Sequence, residues 1–152
     1  MGPRLDGLEA VLRDRSVASD LQPSGRPLER GWVSSFFGNR TDPITGRAVF
    51  HEGVDFVAKA GAEVVAAASG IVTWAGQRRG YGNLIEISHG DGYTTRYAHN
   101  ERHLVQAGTK VDKGQPIALL GATGRSTGPH LHFEVLRNGK ALNPMRFVKE
   151  GQ

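Results

Sequence analysis

The stretch Leu84-Ile85-Glu86-Ile87-Ser88-His89-Gly90-Asp91-Gly92-Tyr93-Thr94-Thr95-Arg96-Tyr97-Ala98-His99 decides the fold. Two runs rich in β-branched and aromatic residues flank Gly90-Asp91-Gly92, where glycine permits a tight reversal. This is the pattern of a hairpin. Working outward, it predicts short strands near 54–57, 63–67, 70–75, 84–89, 93–99, 116–120 and 131–136. Gly80-Tyr81-Gly82, Asp112-Lys113-Gly114 and Asn138-Gly139 divide them. Upstream, Trp32–Phe37 is apolar and aromatic, and Asp42-Pro43-Ile44-Thr45-Gly46 is a turn signature. Many short strands with almost no helical stretch predict a mainly β fold, a small antiparallel sandwich or barrel. Glycine, 21 of 152 residues, is about twice the usual ~7% and agrees with a turn-rich chain.

The first 30 residues read differently. Leu5, Leu8 and Leu12 recur at helical spacing, which predicts a short helix over 4–15 or an extended segment. Residues 22–30 carry two prolines and a glycine and read as a linker. The expected organisation is an N-terminal helix and linker over 1–30, then one domain over 31–152. That linker is long enough to fold back over a groove, with Asn39 or Asp42 able to offer an oxygen there.

Composition excludes several classes. Cysteine is absent, so there is no disulfide framework, Cys-ligated zinc finger or Cys nucleophile. No apolar run approaches the ~18 residues of a membrane span. Met1-Gly2-Pro3-Arg4 opens no hydrophobic region, so no signal peptide is expected in this chain. The net charge of +4 is spread out. No basic run reaches the ~5–8 residues of a nucleic-acid patch, and weak attraction to an anionic polymer such as cell wall is what it allows.

The chemistry lies in the histidines. A lone histidine is most often a structural group, but spacing singles out four of the six. His130-Leu131-His132 sits at the start of a strand pattern, where i and i+2 project from one face. His51 and Asp55 are four apart in another strand pattern and share a face, with Glu52 turned away. Tyr93, Thr95, Tyr97 and His99 are expected on one face of a third, His99 ending it. His51, Asp55 and His132 together offer two nitrogens and one carboxylate oxygen, the donor set of a catalytic zinc with one position open. His99 and His130 are then left for proton transfer, since an imidazole titrates near ~6.5; spacing leaves open which takes the proton and which gives it. Gly121-Ala122-Thr123-Gly124-Arg125-Ser126-Thr127-Gly128-Pro129 is a shaped loop delivering His130. It contains neither a Gly-x-Ser-x-Gly elbow nor a P-loop.

These residues carry a resemblance. His51-x-x-x-Asp55, Tyr97-Ala98-His99 and Gly128-Pro129-His130-Leu131-His132-Phe133-Glu134 resemble the three motifs of the lysostaphin-type (LytM-like) zinc endopeptidases. The likeness extends over roughly 31–148 and takes in Gly80-Tyr81-Gly82-Asn83, Val111-x-Lys113-Gly114-Gln115 and Asn143-Pro144. It implies a small antiparallel β fold with one Zn2+ per chain in a groove. His51, Asp55 and His132 match the ligands, and His99 and His130 match the catalytic histidines. It implies hydrolysis of peptide cross-links in peptidoglycan, in the periplasm or cell envelope. The Asp42–Gly46 turn and the preference for arginine over lysine resemble the branch that cuts the D-alanyl–diaminopimelate bond. Some members lack chemistry and activate other wall hydrolases, so a regulatory protein partner is a further expectation. A lipoyl- or biotin-type carrier, with Lys113 as attachment residue, is a weaker resemblance.

Overall fold

The computed structural model describes Pro23, residues 25–121 and residues 129–148. The helix expected over 4–15 and most of the loop before His130, including Ser126, lie outside the described residues. Thirteen strands are present among them. They are β1 (Trp32–Ser35), β2 (Gly38–Thr41), β3 (Ala48–His51), β4 (Val54–Val57), β5 (Glu63–Val65), β6 (Gly70–Arg78), β7 (Gly82–Gly90), β8 (Tyr93–Ala98), β9 (Asn100–His103), β10 (Lys110–Val111), β11 (Pro116–Leu120), β12 (His130–Arg137) and β13 (Lys140–Leu142). A 3-10 turn at Pro144–Arg146 follows, with Asn143 Oδ1 accepting from the Met145 N–H.

The architecture is the expected mainly β one. The main sheet runs β1-β4-β12-β8-β7-β6-β10, with β13 also on β12. A second sheet runs β5-β11-β9, and β2 and β3 form a separate ribbon. Every pairing is antiparallel. The hairpin read from residues 84–99 is β7–β8, with Ile85 opposite Tyr97 and Ile87 opposite Thr95. The ribbon flanks the Asp42–Gly46 turn, whose Asp42 Oδ1 accepts from the Ile44 and Thr45 N–H groups. Its strands, along with β9, β10 and β13, are short or exposed, and residue pattern alone does not predict them.

Alternation along the main sheet separates two faces. Leu131, Phe133 and Val135 of β12, Val54 and Phe56 of β4, Tyr97 of β8, and Ile85 and Ile87 of β7 are all buried. They pack against Val64, Ile117 and Leu120 of the second sheet. Each large apolar side chain so buried contributes about 1.5–3 kcal/mol. His130, His132 and Glu134 leave β12 on the other face. Leu28, from the expected linker, is fully buried and bridges Val64. Val65 N–H donates to the Pro27 carbonyl at 2.8 Å and Gly25 N–H to the Ala67 carbonyl at 3.0 Å. Residues 25–28 thus lie against β5, not over the face that carries His132.

One polar chain crosses the core. Ala67 N–H donates to the Tyr97 hydroxyl at 2.9 Å. That hydroxyl meets Thr95 Oγ1 at 2.7 Å, Thr95 Oγ1 meets His89 Nε2 at 2.7 Å, and His89 Nδ1 meets the Ser69 carbonyl at 2.7 Å. A carbonyl only accepts, so Nδ1 carries the proton and Nε2 accepts from Thr95. Thr95 then accepts from Tyr97, and each donor has one acceptor. Protonating Nε2 makes it a donor to Thr95 Oγ1 and leaves one hydroxyl proton of the Thr95–Tyr97 pair without an acceptor. Burial holds the His89 imidazole below its usual value, against the Ser69 bond that raises it.

Two outcomes follow from this chain. Tyr97→Phe leaves the buried Ala67 N–H unpartnered and lowers stability by about 1–3 kcal/mol in denaturant unfolding. A depressed folded value means that the unfolded chain binds the proton more tightly. Stability at His89 is therefore complete above the unfolded imidazole value of ~6.5 and is lost as pH falls toward the folded one. His89→Gln should unfold with a shallower loss of stability below ~6.5 than the parent; equal slopes would remove His89 from the account.

Candidate metal centre

Strand register brings the first two ligand candidates together. His132 of β12 lies directly opposite Asp55 of β4, and His132 Nδ1 sits 2.8 Å from Asp55 Oδ1. His51 arrives from a different strand than expected. β3 ends at His51, Glu52 and Gly53 turn the chain, and β4 begins at Val54. The pair does not share one continuous strand face, yet His51 Nε2 lies 3.5 Å from Asp55 Oδ2. The turn passes close beneath the site. A Cβ on Gly53 would meet the Phe133 carbonyl at 2.5 Å and His132 Cε1 at 2.9 Å, so only glycine fits. One donor atom from each of His51, Asp55 and His132 lies within 4.8 Å of the other two.

Hydrogen bonds fix which nitrogen each ring presents. His51 Nδ1–H donates to the Phe36 carbonyl at 2.9 Å, leaving the Nε2 lone pair toward Asp55. His132 Nε2 meets Glu134 Oε2 at 2.8 Å. With the proton on Nε2, its Nδ1 lone pair faces Asp55 and His51. A carboxylate behind a ligating imidazole fixes tautomer and ring orientation in metal sites and raises ligand basicity. Burial alone lowers the His132 imidazole, but the bonds to Asp55 and Glu134 outweigh it and push it up to about 9. Burial likewise tends to raise Asp55 and Glu134, and the His132 bond and charge hold both carboxyls below their usual range. The surroundings thus favour positive charge at this point. Two imidazole nitrogens and a carboxylate oxygen, each backed by a partner or another ligand, are a donor set that fits zinc.

His130 and His99 stand beside this group, and His99 corrects the sequence reading. Alternation places His99 with Thr95 and Tyr97, both of which are buried. Instead β8 stops at Ala98, and His99 takes φ 69°, a left-handed backbone uncommon outside glycine. The extra rotation turns its ring to the metal face. The His99 ring centroid lies 5.2 Å from that of His130 and 6.3 Å from that of His132. Glu52 is exposed in the turn between β3 and β4, not turned away by strand alternation. The Asp42 carboxylate caps its own turn, and Asn39 pairs with Phe50 in the ribbon.

Several partners escape a sequence reading. Glu134, Arg96 and Glu86 are aligned across β12, β8 and β7. Glu134 is almost fully buried and also accepts from the Tyr81 hydroxyl at 3.2 Å and Arg96 Nη1 at 3.4 Å. Arg96 Nε donates to Glu86 Oε2 at 2.7 Å. Glu134 was visible in principle, because it lies two residues beyond His132. Arg96 and Glu86 need the register. Glu134→Gln removes the buried charge behind His132 while keeping an acceptor. Zinc affinity measured by competition titration should fall about 10–100-fold, with the fold retained in circular dichroism.

Comparison with known proteins agrees with this geometry. The model of Peptidase family M23 matches residues 49–144. The peptidoglycan DD-endopeptidase ShyC of Vibrio cholerae is 44% identical over 119 residues, 78% of this chain and 28% of that protein. The murein hydrolase activator NlpD of Salmonella dublin is 45% identical over 101 residues, 66% of this chain and 26% of that protein. The crystal structure of a zinc-containing peptidase from Vibrio cholerae superposes with a TM-score of 0.74 at 42% identity. It covers 79% of this chain and 38% of that one. The chain therefore spans little more than a quarter of the length of the curated relatives it matches. With most of its length matched and His51, Asp55 and His132 gathered on one face, the chain belongs to peptidase family M23.

Proposed function

We propose that residues 31–152 form the catalytic domain of a zinc-dependent endopeptidase that hydrolyses peptide cross-links of bacterial peptidoglycan, of the D-alanyl–diaminopimelate type. Residues 1–30 precede it in this chain, with Leu28 packed into the domain's core. The observation that carries this reading is the grouping of His51, Asp55 and His132 beside His99 and His130 over one face of the main sheet. The protein acts in the periplasm or cell envelope, where that polymer lies. Among the described residues no helix is long and apolar enough to cross a membrane.

His51 Nε2, Asp55 and His132 Nδ1 would hold the zinc. Bound there, zinc would supply Lewis acidity for a water nucleophile and for the scissile carbonyl. The chain's own residues handle the protons. Hydrolysis needs one proton taken from water as its oxygen bonds to the carbonyl carbon, and one given to the nitrogen as the C–N bond breaks. His99 and His130, with rings 5.2 Å apart, share those two transfers. Glu134 keeps the His132 proton on Nε2, so that ring is not available as an acid.

A second reading is a wall-binding module that activates another hydrolase, favoured by the likeness to an activator. A digest of purified cross-linked peptidoglycan, read by mass spectrometry, separates the two. Chelator-sensitive loss of dimeric muropeptides is expected, and the fragments name the bond. No cleavage by the zinc-loaded protein, together with stimulation of an amidase, would replace the first reading with the second. His99→Ala and His130→Ala should each lower kcat by about 10²–10⁴-fold with zinc still bound. His132→Ala should lose zinc and activity and keep its β structure.

A further inference from the structure

The left-handed backbone at His99 needs a cause. A non-glycine residue at φ 69° persists only where its surroundings over-determine it. The segment Tyr81–Asn83 runs beside His99 and Asn100 and supplies that determination. His99 N–H donates to the Tyr81 carbonyl at 3.1 Å. Asn83 Nδ2 donates to the Asn100 carbonyl at 2.9 Å, and Asn100 Nδ2 returns to the Asn83 carbonyl at 3.3 Å. Asn100 Nδ2 also donates to the Tyr97 carbonyl at 2.9 Å, two residues before His99. Carbonyls only accept, so the Asn100 amide orientation is dictated by its neighbours. Asn100 is fully buried and its Oδ1 has no partner among the described residues. A buried acceptor left unpartnered destabilises the fold, and it marks a residue kept for what its Nδ2 ties together.

These bonds bracket His99 on both sides. Tyr97 is tied before it and Asn100 after it, and both ties lead to the Asn100 side chain or to Asn83. Gly82, between Tyr81 and Asn83, lies beside the ring: a Cβ there would make an ordinary van der Waals contact, 3.6 Å, with His99 Nδ1. We propose that Asn83 and Asn100 are positioning residues, a reciprocal amide clamp that holds His99 left-handed and so turns its imidazole onto the metal face beside His130. The role assigned to His99 in the transfer of protons rests on the endopeptidase reading; the clamp itself does not.

The test uses Asn83→Ala and the isosteric Asn83→Asp, which has no N–H to donate. In the full-length zinc-loaded protein, both should lower kcat on cross-linked muropeptides by about 10²-fold, the scale of a misplaced catalytic group. KM and zinc content should stay as in the parent. In a His99→Ala background, Asn83→Ala should change the residual rate no further. An equal loss in both backgrounds overturns the proposal, because Asn83 would then act other than through His99. The His99 ring resonance, assigned by its disappearance in His99→Ala, gives a reading independent of activity. A shift or broadening in Asn83→Asp supports the clamp, and an unchanged resonance overturns it. If the parent protein cleaves no cross-link, the endopeptidase reading fails and that resonance still decides the clamp.

Discussion

The register between β12 and β4 is the constraint on which the rest of the molecule depends. It sets His132 opposite Asp55 and Leu131 opposite Phe56 in the same step. Side chains alternate with period two, so a slip of one residue would exchange the faces. Leu131, Phe133 and Val135 would then meet solvent, and His130, His132 and Glu134 would enter the core. The apolar area buried on one face therefore fixes the chemistry on the other. Few residues separate the two roles: the five from Leu131 to Val135 hold three core side chains, a metal-ligand candidate and its buried partner.

Charge extends that order sideways across the sheet. Asp55, His132, Glu134, Arg96 and Glu86 alternate in the sign they favour, each within 2.7–3.4 Å of the next. Buried carboxylates are costly alone, and here each has a cationic or hydrogen-bonded neighbour. The arrangement also discriminates between the acids. Asp55 points to where His51 Nε2 and His132 Nδ1 converge, whereas Glu134 is occupied by Nε2, Tyr81 and Arg96. Of two carboxylates on either side of one imidazole, only the first is left facing the second imidazole nitrogen.

Much of this was legible in the sequence. Periodicity gave β4 and β11 to the residue and most of β6, β7, β8 and β12, because those strands carry long apolar faces. It missed β2, β3, β9, β10 and β13, whose residues are too few or too exposed to leave a period. The five candidate site residues stand out as spacings, but the geometry behind two of them does not. His51 and Asp55 meet across a glycine turn, and His99 leaves its strand's alternation through a positive φ. Neither is a property of residue type: histidine at φ 69° is enforced by bonds from Asn83, Tyr81 and Asn100, contacts that only the folded chain creates. Arg96 and Glu86 were illegible for the same reason, since nothing local ties them to Glu134.

Two exceptions to regular β geometry fall at the candidate site, the Gly53 turn and the positive φ of His99. Gly53 lets a turn pass within van der Waals distance of His132, and His99 adopts a conformation that a strand would not give it. Local rules are commonly broken at functional sites and compensated nearby. Here the compensation has two parts. The sheet and its core fix Asp55, His132 and Glu134 as rigidly as strands allow, which suits groups that must hold an ion at a set spacing. The ribbon and the β8–β9 corner bring His51 and His99 from outside the main sheet, each with a hydrogen bond to a backbone carbonyl. His51 is held by the Phe36 carbonyl and His99 by the Tyr81 carbonyl. A site assembled this way keeps its central ligands stable against changes at its rim, while the rim bonds decide whether the outer two histidines reach it.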